Sequence, residues 1–390
     1  MAQTREEYQK RLRRRRSANK RFKYYGLLAL CFACAFLLWF FSDLIGKGWS
    51  ALRQAQVYTE IRYTEESAQL SGYRKAVDPE MVNVVSRGEL RVIPKKVRAN
   101  PELMGTSESR WVLTMHDVDQ YLKGHAFDES KFDRELVDRL VADGKLKLKF
   151  NSGFFTRAHS SLPEMAGIGV AILGTIWVLL ITMAVAVPIG VMTSIYLEEF
   201  APDNKFTRGI EVNINNLAAI PSIMFGLLGL AIIINFFGVP RSSALAAGLT
   251  LGLMMLPVII IATRAALRAV PDSIREGACG VGASPWQVVW HHVLPLSIPG
   301  IMTGSIISLA RAMGETAPLL IVGLMAFIST KPDSILDGTT VLPAQIYTWT
   351  KESERAYEER TAAAILVLLF VLLVLNAFAI WVRNRSERRW

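Results

Sequence analysis

The chain has 390 residues, of which 51% are apolar and 20% are charged. That composition excludes a disordered chain, and a mean hydropathy of +0.28 is unusual for a soluble protein. Three cysteines are too few for a disulfide scaffold. The formal net charge of +10 is concentrated at one end: residues 1–23 hold ten cations and two anions, a net +8, which leaves +2 for the other 367 residues. We therefore expect a membrane protein with no nucleic-acid partner.

The first apolar run covers residues 24–45 and is interrupted only by Ser42 and Asp43. It is long enough to cross a hydrocarbon core of about 30 Å, and it has no clear small-x-small site for signal-peptide cleavage. Because positive charge beside a span tends to remain in the cytoplasm, the pattern predicts a transmembrane helix preceded by a basic cytoplasmic tail at 1–23.

Residues 46–162 differ in kind, because their 19 cations and 16 anions are nearly balanced. Residues 131–143 repeat apolar side chains at helical spacing, and residues 145–150 alternate with period two, as a half-buried strand does. Residues 89–93 and 111–114 are further strand candidates. The pattern predicts a small α+β extracytoplasmic (periplasmic) domain. We expect a structural or docking insert without a metal site, because none of its three histidines has a cysteine or carboxylate at ligand spacing: His116, His125 and His159.

Five more apolar runs are long enough to span a membrane: 166–196, 221–239, 244–262, 301–328 and 361–382. Four arginines follow the last run: Arg383, Arg385, Arg388 and Arg389. Because both termini are basic, both are expected in the cytoplasm, which requires an even number of spans. The fold class predicted is an all-α polytopic membrane protein with six transmembrane helices. The loop 264–292 then lies inside, and the loop 329–360, with six acids and four bases, lies outside.

The predicted inside loop carries two helix-start signals. Ser273 with Glu276, and Ser284 with Gln287, fit an N-cap followed by Glu or Gln three residues later. Small residues lie between them, so two short helices would meet at a corner that another protein can approach closely. The alternative is an ordinary loop in which Glu276 is only a capping carboxylate.

The fifth predicted span carries two ionisable residues, Arg311 and Glu315. Charged residues inside a span cost at least ~2.5 kcal/mol each on insertion scales. Arg311 lies ten residues after Ile301, about 15 Å along a helix, which predicts a position near mid-membrane. Glu315 follows at i+4 and shares its face. A guanidinium suits phosphate or carboxylate, so the pair either meets a passing anion or is a buried ion pair that holds two helices together.

Three stretches resemble known families. Glu276-Gly277-Ala278, Gly282 and Leu294-Pro295 resemble the EAA motif of ABC-importer permeases, although Gly277 replaces an alanine and His292 an aliphatic residue. The stretch RAMGETAPLL at 311–320 closely resembles the signature of PstA-type phosphate permeases. The stretch NLAAIPSIMFG at 216–226 is similar to another part of that family, and the resemblance covers residues 163–390.

This resemblance implies a MetI-like permease core at 163–390 and a function as the permease subunit of an ATP-driven phosphate importer in the bacterial inner membrane. It implies a PstC-type permease partner, an ABC ATPase dimer and an extracytoplasmic phosphate-binding protein. The coupling loop 271–295 would contact the ATPase through the EAA-like residues, and Arg311, Glu315 and Thr316 would lie on the substrate pathway. Asn216, Pro221 and Ser222 form a weaker candidate for an anion-facing helix start.

We expect no enzymatic activity and no cofactor bound by this chain, because no G-x-x-x-x-G-K-[ST] loop is present; ATP and magnesium would be used by the partner ATPase. Membrane lipid is a further expected partner. Three alternatives remain. The permease could carry another oxyanion, such as sulfate or molybdate. The chain could be a membrane sensor that binds a ligand at 46–162, or a secondary carrier driven by protons.

Overall fold

The computed structural model describes residues 5–69, 71–125 and 127–386, and within these it is mostly helical with one small sheet. Residues 1–4 of the predicted tail, and Arg388 and Arg389, lie outside the described residues. The amino-terminal part contains α1 (Arg5–Ala51), β1 (Arg53–Arg62), α2 (Arg87–Arg91), α3 (Ile93–Ala99), β2 (Ser107–Leu113), α4 (His116–Leu122), α5 (Arg134–Ala142), β3 (Leu146–Phe150) and α6 (Ser152–Thr156).

The remaining helices form the second part of the chain. They are α7 (Gly169–Ile195), α8 (Lys205–Ala218), α9 (Ser222–Leu228), α10 (Ala244–Arg268), α11 (Asp272–Gly280), α12 (Pro285–Val288), α13 (Leu294–Gly314), α14 (Ala317–Val322), α15 (Leu342–Trp349) and α16 (Ala356–Ser386). Three π-helical segments continue α7, α9 and α12: Tyr196–Phe200, Gly229–Phe236 and Val289–Val293.

Helix α1 is longer than the predicted span at 24–45. Its 47 residues run from Arg5 to Ala51, because Arg, Lys, Gln and Glu in the predicted tail are all good helix formers. Most of its described side chains are exposed, and it packs near its end on α16, where Gly48 lies against Ala362 and Ala363.

The segment after α1 folds around a three-stranded antiparallel sheet in the order β2-β1-β3, with a hydrophobic core of its own. Helix α5 and strand β3 confirm the elements expected at 131–143 and 145–150, and β2, which ends at Leu113, includes the first three of the residues expected at 111–114. Alternating burial is not seen along β3, because this edge strand leaves Leu148 and Phe150 exposed. The strand expected at 89–93 is wrong: Ser86 caps a helix there by accepting from the Gly88 amide.

Five helical stretches are long and apolar enough to cross a membrane, and they begin at Leu12, Gly169, Ala244, Pro285 and Ala356. A sixth span requires the bent pair α8 and α9, whose segments meet at 107°. Hydropathy did not predict α8, which is amphipathic, and Pro221 explains the break because it lacks an N–H and disfavours helix at the residue before it. The predicted six spans therefore depend on counting this bent pair as one.

The predicted bounds of the fifth span, 301–328, are wrong at both ends. A continuous helical rod runs from Pro285 to Gly314, α14 follows after a break at 315–316, and Gly323 at φ +105° ends α14 in the left-handed conformation. The break has a local cause: Pro318 cannot donate a hydrogen bond to the Gly314 carbonyl, four residues earlier.

Small and hydroxylated residues fix how the spans pack. Helices α7 and α10 are parallel, since the Thr182 hydroxyl donates to the Gly248 carbonyl and the Ser194 hydroxyl to the Ile260 carbonyl, 66 residues away in both cases. Helix α13 runs antiparallel to α10, because Gly300 lies against Ala266 and Gly304 against Ala262. Small residues at these contacts let the backbones approach closely, as is usual between membrane helices.

Candidate translocation site and coupling loop

The helix contacts give the depth of Arg311 relative to α10. Gly304 faces Ala262, and seven residues further along α13 and seven back along the antiparallel α10 pair Arg311 with Met255. Met255 lies 11 residues from the start of α10 and 13 from its end. Arg311 therefore lies level with the middle of the spanning helix α10. Within its own helix, α13, it belongs to the last turn before the break that precedes α14.

Arg311 and Glu315 form an open ion pair. The Arg311 Nε lies 3.4 Å from Glu315 Oε1, and the Arg311 side chain is 44% exposed against 20% for Glu315. Arg311 lies in the last turn of α13 and Glu315 is the residue that ends this helix, so the pair does not join two helices. The alternative of a buried pair that holds two helices together is therefore wrong for the described chain. Thr316 occupies the position before α14 without capping it, and its side chain is partly exposed.

The start of α9 lies at a similar depth. Gly229 packs against Thr250, and the same seven-residue extrapolation in opposite directions pairs Ser222 with Pro257 on α10. Gly226 lies against Pro318, so α9 and α14 are in direct contact. Asn216 is exposed near the end of α8, and no side chain caps α9 after Pro221. Two helix interruptions thus meet near mid-depth, an arrangement that membrane transporters use to form substrate sites.

The loop between α10 and α13 forms the corner expected of two short helices. The predicted cap at Ser273 is wrong, because α11 begins at Asp272 after Pro271, which sets the helical entry instead. The capping box of Ser284 and Gln287 is confirmed. Gly282 turns the chain at φ +89°, a left-handed conformation that glycine adopts without strain.

The corner offers exposed groups to a partner. Val281 at its tip is 85% exposed, and Glu276 and Gly277 are exposed beside it, whereas Ala278 is buried against the base of the loop. A Cβ at Gly277 would meet no other atom within 4 Å, so the position tolerates the alanine of the EAA pattern.

The second half of the loop is mechanically continuous with α13. Pro285–Gly314 is a 30-residue helical rod in which Leu294 and Pro295 are internal residues, and it carries the corner at one end and Arg311 near the other. Pro295 lines a groove of about 770 Å³ together with His291 and His292.

An ion-pair network that sequence reasoning missed holds the loop to the spans. Arg275 donates to both carboxylate oxygens of Glu199, at 2.8 and 3.3 Å, and to the carbonyls of Leu267 and Val270. The same corner of the molecule contains pairs of Arg264 with Glu198 and Glu211, and of Arg268 with Glu198. The available signal was the Glu198-Glu199 pair directly after an uncharged span.

A second buried network joins the segment 53–168 to α16. The Lys123 ammonium lies 2.7 Å from Asp119 and 2.9 Å from Glu359, and each of these three side chains is at most 6% exposed. Glu359 also contacts Gln120 and His125. Because the charges are paired and hydrogen-bonded, the segment is fixed to the start of α16.

The pKa values of two histidines in this segment are shifted in opposite directions. Burial lowers the pKa of His159, whose Nδ1 accepts hydrogen bonds from Trp349 Nε1 and Gln345 Nε2. Burial also acts to lower the pKa of His116, but the hydrogen bond to Glu164 and the charge of Asp117 outweigh it and raise the pKa. Within the described part of the chain, no three His, Cys, Asp or Glu side chains are grouped to hold a metal ion.

Comparison with known proteins bears on the family to which this chain belongs. Residues 9–84 match a domain of unknown function, DUF3333. The chain is 35% identical over 242 residues to the phosphate transport system permease protein PstA 1 of Mycobacterium tuberculosis (strain CDC 1551 / Oshkosh), covering 61% of this chain and 78% of that protein. It is 29% identical over 250 residues to the phosphate transport system permease protein PstC of Pasteurella multocida (strain Pm70), covering 58% and 77%.

A solved structure, the inward-facing MetNI methionine ABC transporter, contains a chain with 18% identity and a TM-score of 0.43, covering 57% of this chain and 95% of that one. The decisive match is the model of the binding-protein-dependent transport system inner membrane component, which covers residues 186–390, just over half of the chain. This protein belongs to that family of ABC-transporter permeases.

Proposed function

We propose that this chain is a permease subunit of an ATP-driven importer of inorganic phosphate and that Arg311 contacts the anion during passage. Family membership supports the permease role, and the relatives named PstA support phosphate as the solute. The observation that carries the proposal is the exposed Arg311 guanidinium at mid-depth, next to the break between α13 and α14.

The geometry suits transient binding of an anion. A guanidinium presents a planar fork of donors that matches phosphate oxygens, and the hydrogen bonds are strengthened by charge. The 3.4 Å contact with Glu315 is long, so an arriving anion displaces it at little cost. Glu315 then competes for Arg311 again as the anion leaves, which prevents the site from holding its cargo too tightly. Thr316 supplies a hydroxyl beside this pair.

ATP binding and hydrolysis are assigned to separate ATPase subunits. Glu276, Gly277, Ala278 and Gly282 form the corner that would enter a cleft of the ATPase. Movement there would reach Arg311 through the helical rod that contains Leu294 and Pro295. The importer would also need a PstC-type permease subunit and an extracytoplasmic phosphate-binding protein.

In this proposal the chain is a multi-pass protein of the bacterial inner membrane, with both termini and the 271–295 loop in the cytoplasm. The helix directions are compatible with that topology. Met302 lies in the half of α13 nearer the 271–295 loop, Val382 lies near the carboxyl end of α16, and both line one groove. Residues 46–162 would be an extracytoplasmic docking insert. The start of α9, with Asn216, Pro221 and Ser222, would face the anion path at the same depth as Arg311.

The test is phosphate uptake by the complete complex in proteoliposomes. Arg311→Ala is expected to abolish uptake while assembly and basal ATP hydrolysis persist, and Arg311→Lys to restore part of it. Ile307→Ala is the matched control, because Ile307 is exposed one turn earlier on the same helix. Wild-type uptake by Arg311→Ala would refute the role of the arginine. Inhibition by sulfate or molybdate as strong as by phosphate would instead indicate another oxyanion.

The coupling role has its own test. Glu276→Lys is expected to give a stable permease that no longer co-purifies with its ATPase, because the exposed carboxylate is replaced by a cation. Asp272→Lys, which changes another exposed acid on α11, is the control. If Glu276→Lys co-purified with the ATPase as well as Asp272→Lys and the wild type do, Glu276 would be only a charge on the helix surface.

A further inference from the structure

A narrow apolar groove runs along the outside of the spans between α7, α13 and α16. It has a volume of about 330 Å³. Its wall on α7 extends from Ile172 to Met183, and its wall on α16 extends from Val371 to Val382. The third wall is formed by Met302 and Leu309 of α13, and Leu309 lies two residues before Arg311.

The dimensions of the groove select its occupant. Each long wall covers eleven helical steps, about 16 Å, which is close to half of the ~30 Å hydrocarbon core and therefore to the depth of one leaflet. A volume of 330 Å³ spread over that length is narrower than an α-helix, whose diameter with side chains is about 10–12 Å. A whole helix of a partner subunit is too wide to lie within such a groove, whereas one extended alkyl chain fits it.

The chemistry of the lining agrees with the dimensions. The lining residue with a hydroxyl is Thr175, and that hydroxyl already donates to the Ala171 carbonyl and accepts from the Leu342 amide. A polar solute would therefore find no partner there and would pay for its own desolvation. Met183 and Met302 are flexible and polarizable side chains that adapt to an irregular apolar occupant.

We propose that this groove is a binding site for one acyl chain of a membrane phospholipid, held between the back of α13 and helices α7 and α16. The bound acyl chain completes the packing on the side of α13 that faces α7 and α16. Because lipid tails are as apolar as leucine, the hydrophobic effect does not distinguish this site from the surrounding bilayer. Shape complementarity does, and it makes the bound chain exchange more slowly than the lipids around it.

The experiment compares two substitutions on α16. Ala379 lines the groove and Ala377 is exposed outside it, so Ala379→Phe fills the site and Ala377→Phe does not. The complete complex is reconstituted with phosphatidylethanolamine and phosphatidylglycerol, exchanged into detergent, and its retained phospholipid is counted by native mass spectrometry. We expect wild type and Ala377→Phe to retain one lipid per chain at this site and Ala379→Phe to retain about tenfold less. Equal retention by all three proteins would overturn the proposal.

A direct measurement covers the case in which Ala379→Phe does not assemble. Cryo-electron microscopy of the wild-type complex in nanodiscs of the same two lipids should show one continuous tube of density along the groove. An empty groove, or a helix of another subunit seated there, would overturn the proposal. Both measurements are independent of the transported solute, so failure of the phosphate assignment would leave them unaffected.

Discussion

The hydrogen bonds of Arg275 predict that this residue determines how firmly the coupling helix α11 is held. Its guanidinium donates to both oxygens of Glu199 and also to the carbonyls of Leu267 and Val270 at the end of α10. Arg275→Ala removes all of these bonds at once. We expect α11 to open locally far more often, and ATP-driven uptake to fall because movement of the loop no longer reaches the spans.

The magnitude follows from the burial of the pair. Hydrogen bonds to charged groups contribute about 1.5–3 kcal/mol net, and removing one partner of a fully buried ion pair costs about 3–5 kcal/mol. Glu199 is 9% exposed but Arg275 is 21% exposed, so solvent compensates part of the loss. We expect about 2–4 kcal/mol, which raises the open population of α11 roughly 30- to 700-fold, at 1.4 kcal/mol for each factor of ten.

Hydrogen–deuterium exchange of the α11 amides in the lipid-reconstituted protein measures this opening. Asp272→Ala is the control, because Asp272 also contacts Arg275 but is 89% exposed, and exposed pairs contribute about 0–1 kcal/mol. Arg275→Lys should give an intermediate result, since it keeps the charge but loses the fork. If Arg275→Ala exchanged no faster than Asp272→Ala, the network would not hold the helix and this reasoning would fail.

Three further predictions concern the α13–α14 break and the segment 53–168 with its contact to α16. Pro318→Ala restores an N–H that can bond to the Gly314 carbonyl, so we expect a continuous helix and reduced uptake with basal ATP hydrolysis retained; unchanged uptake in proteoliposomes would show that the break is dispensable. Glu359→Gln leaves the buried Lys123 with Asp119 alone, and we expect about 1–3 kcal/mol less local stability, seen as faster amide exchange in α4; no change there would contradict the clamp. His159 has a lowered pKa in the folded state, so as the pH falls the unfolded segment binds a proton before the folded segment does. The stability that neutral His159 contributes is complete above about pH 6.5 and is lost as the pH falls through the folded-state pKa. His159→Gln should remove this part of the pH dependence of amide exchange in residues 157–168.

Continuous apolar runs made much of the fold predictable. The runs at 166–196 and 244–262 lie within or close to α7 and α10, since an uncharged run of that length has no other stable arrangement in a membrane protein. The capping box at Ser284 was equally visible, because its partners are three residues apart. The features that could be predicted are those whose determinants lie close together in the sequence.

The features that were missed are either non-local or insensitive to hydropathy. The carboxylate partners of Arg264 lie 66 and 53 residues away, and Glu199 lies 76 residues from Arg275, so no spacing rule connects these pairs. Helix α8 has a mixed composition that an apolar window overlooks, and its bend against α9 depends on one proline. The same holds for the α13–α14 break, where Pro318 lies inside the stretch 301–328 that was predicted as one continuous span.

Arg311 shows how two different sets of helix bounds lead to a similar depth. Counting from Ile301 as the membrane edge places Arg311 about 15 Å deep, yet α13 begins at Leu294 and continues the rod from Pro285. The depth is nevertheless close to the middle, because the first turns of the rod belong to the loop outside the apolar span. Beyond Glu315 the chain continues through the break and the short α14 instead of a complete helix. Arg311 lies in the last turn before this break, on the face of α13 that also leaves Ile307 exposed one turn earlier, so its guanidinium is exposed at a helix end.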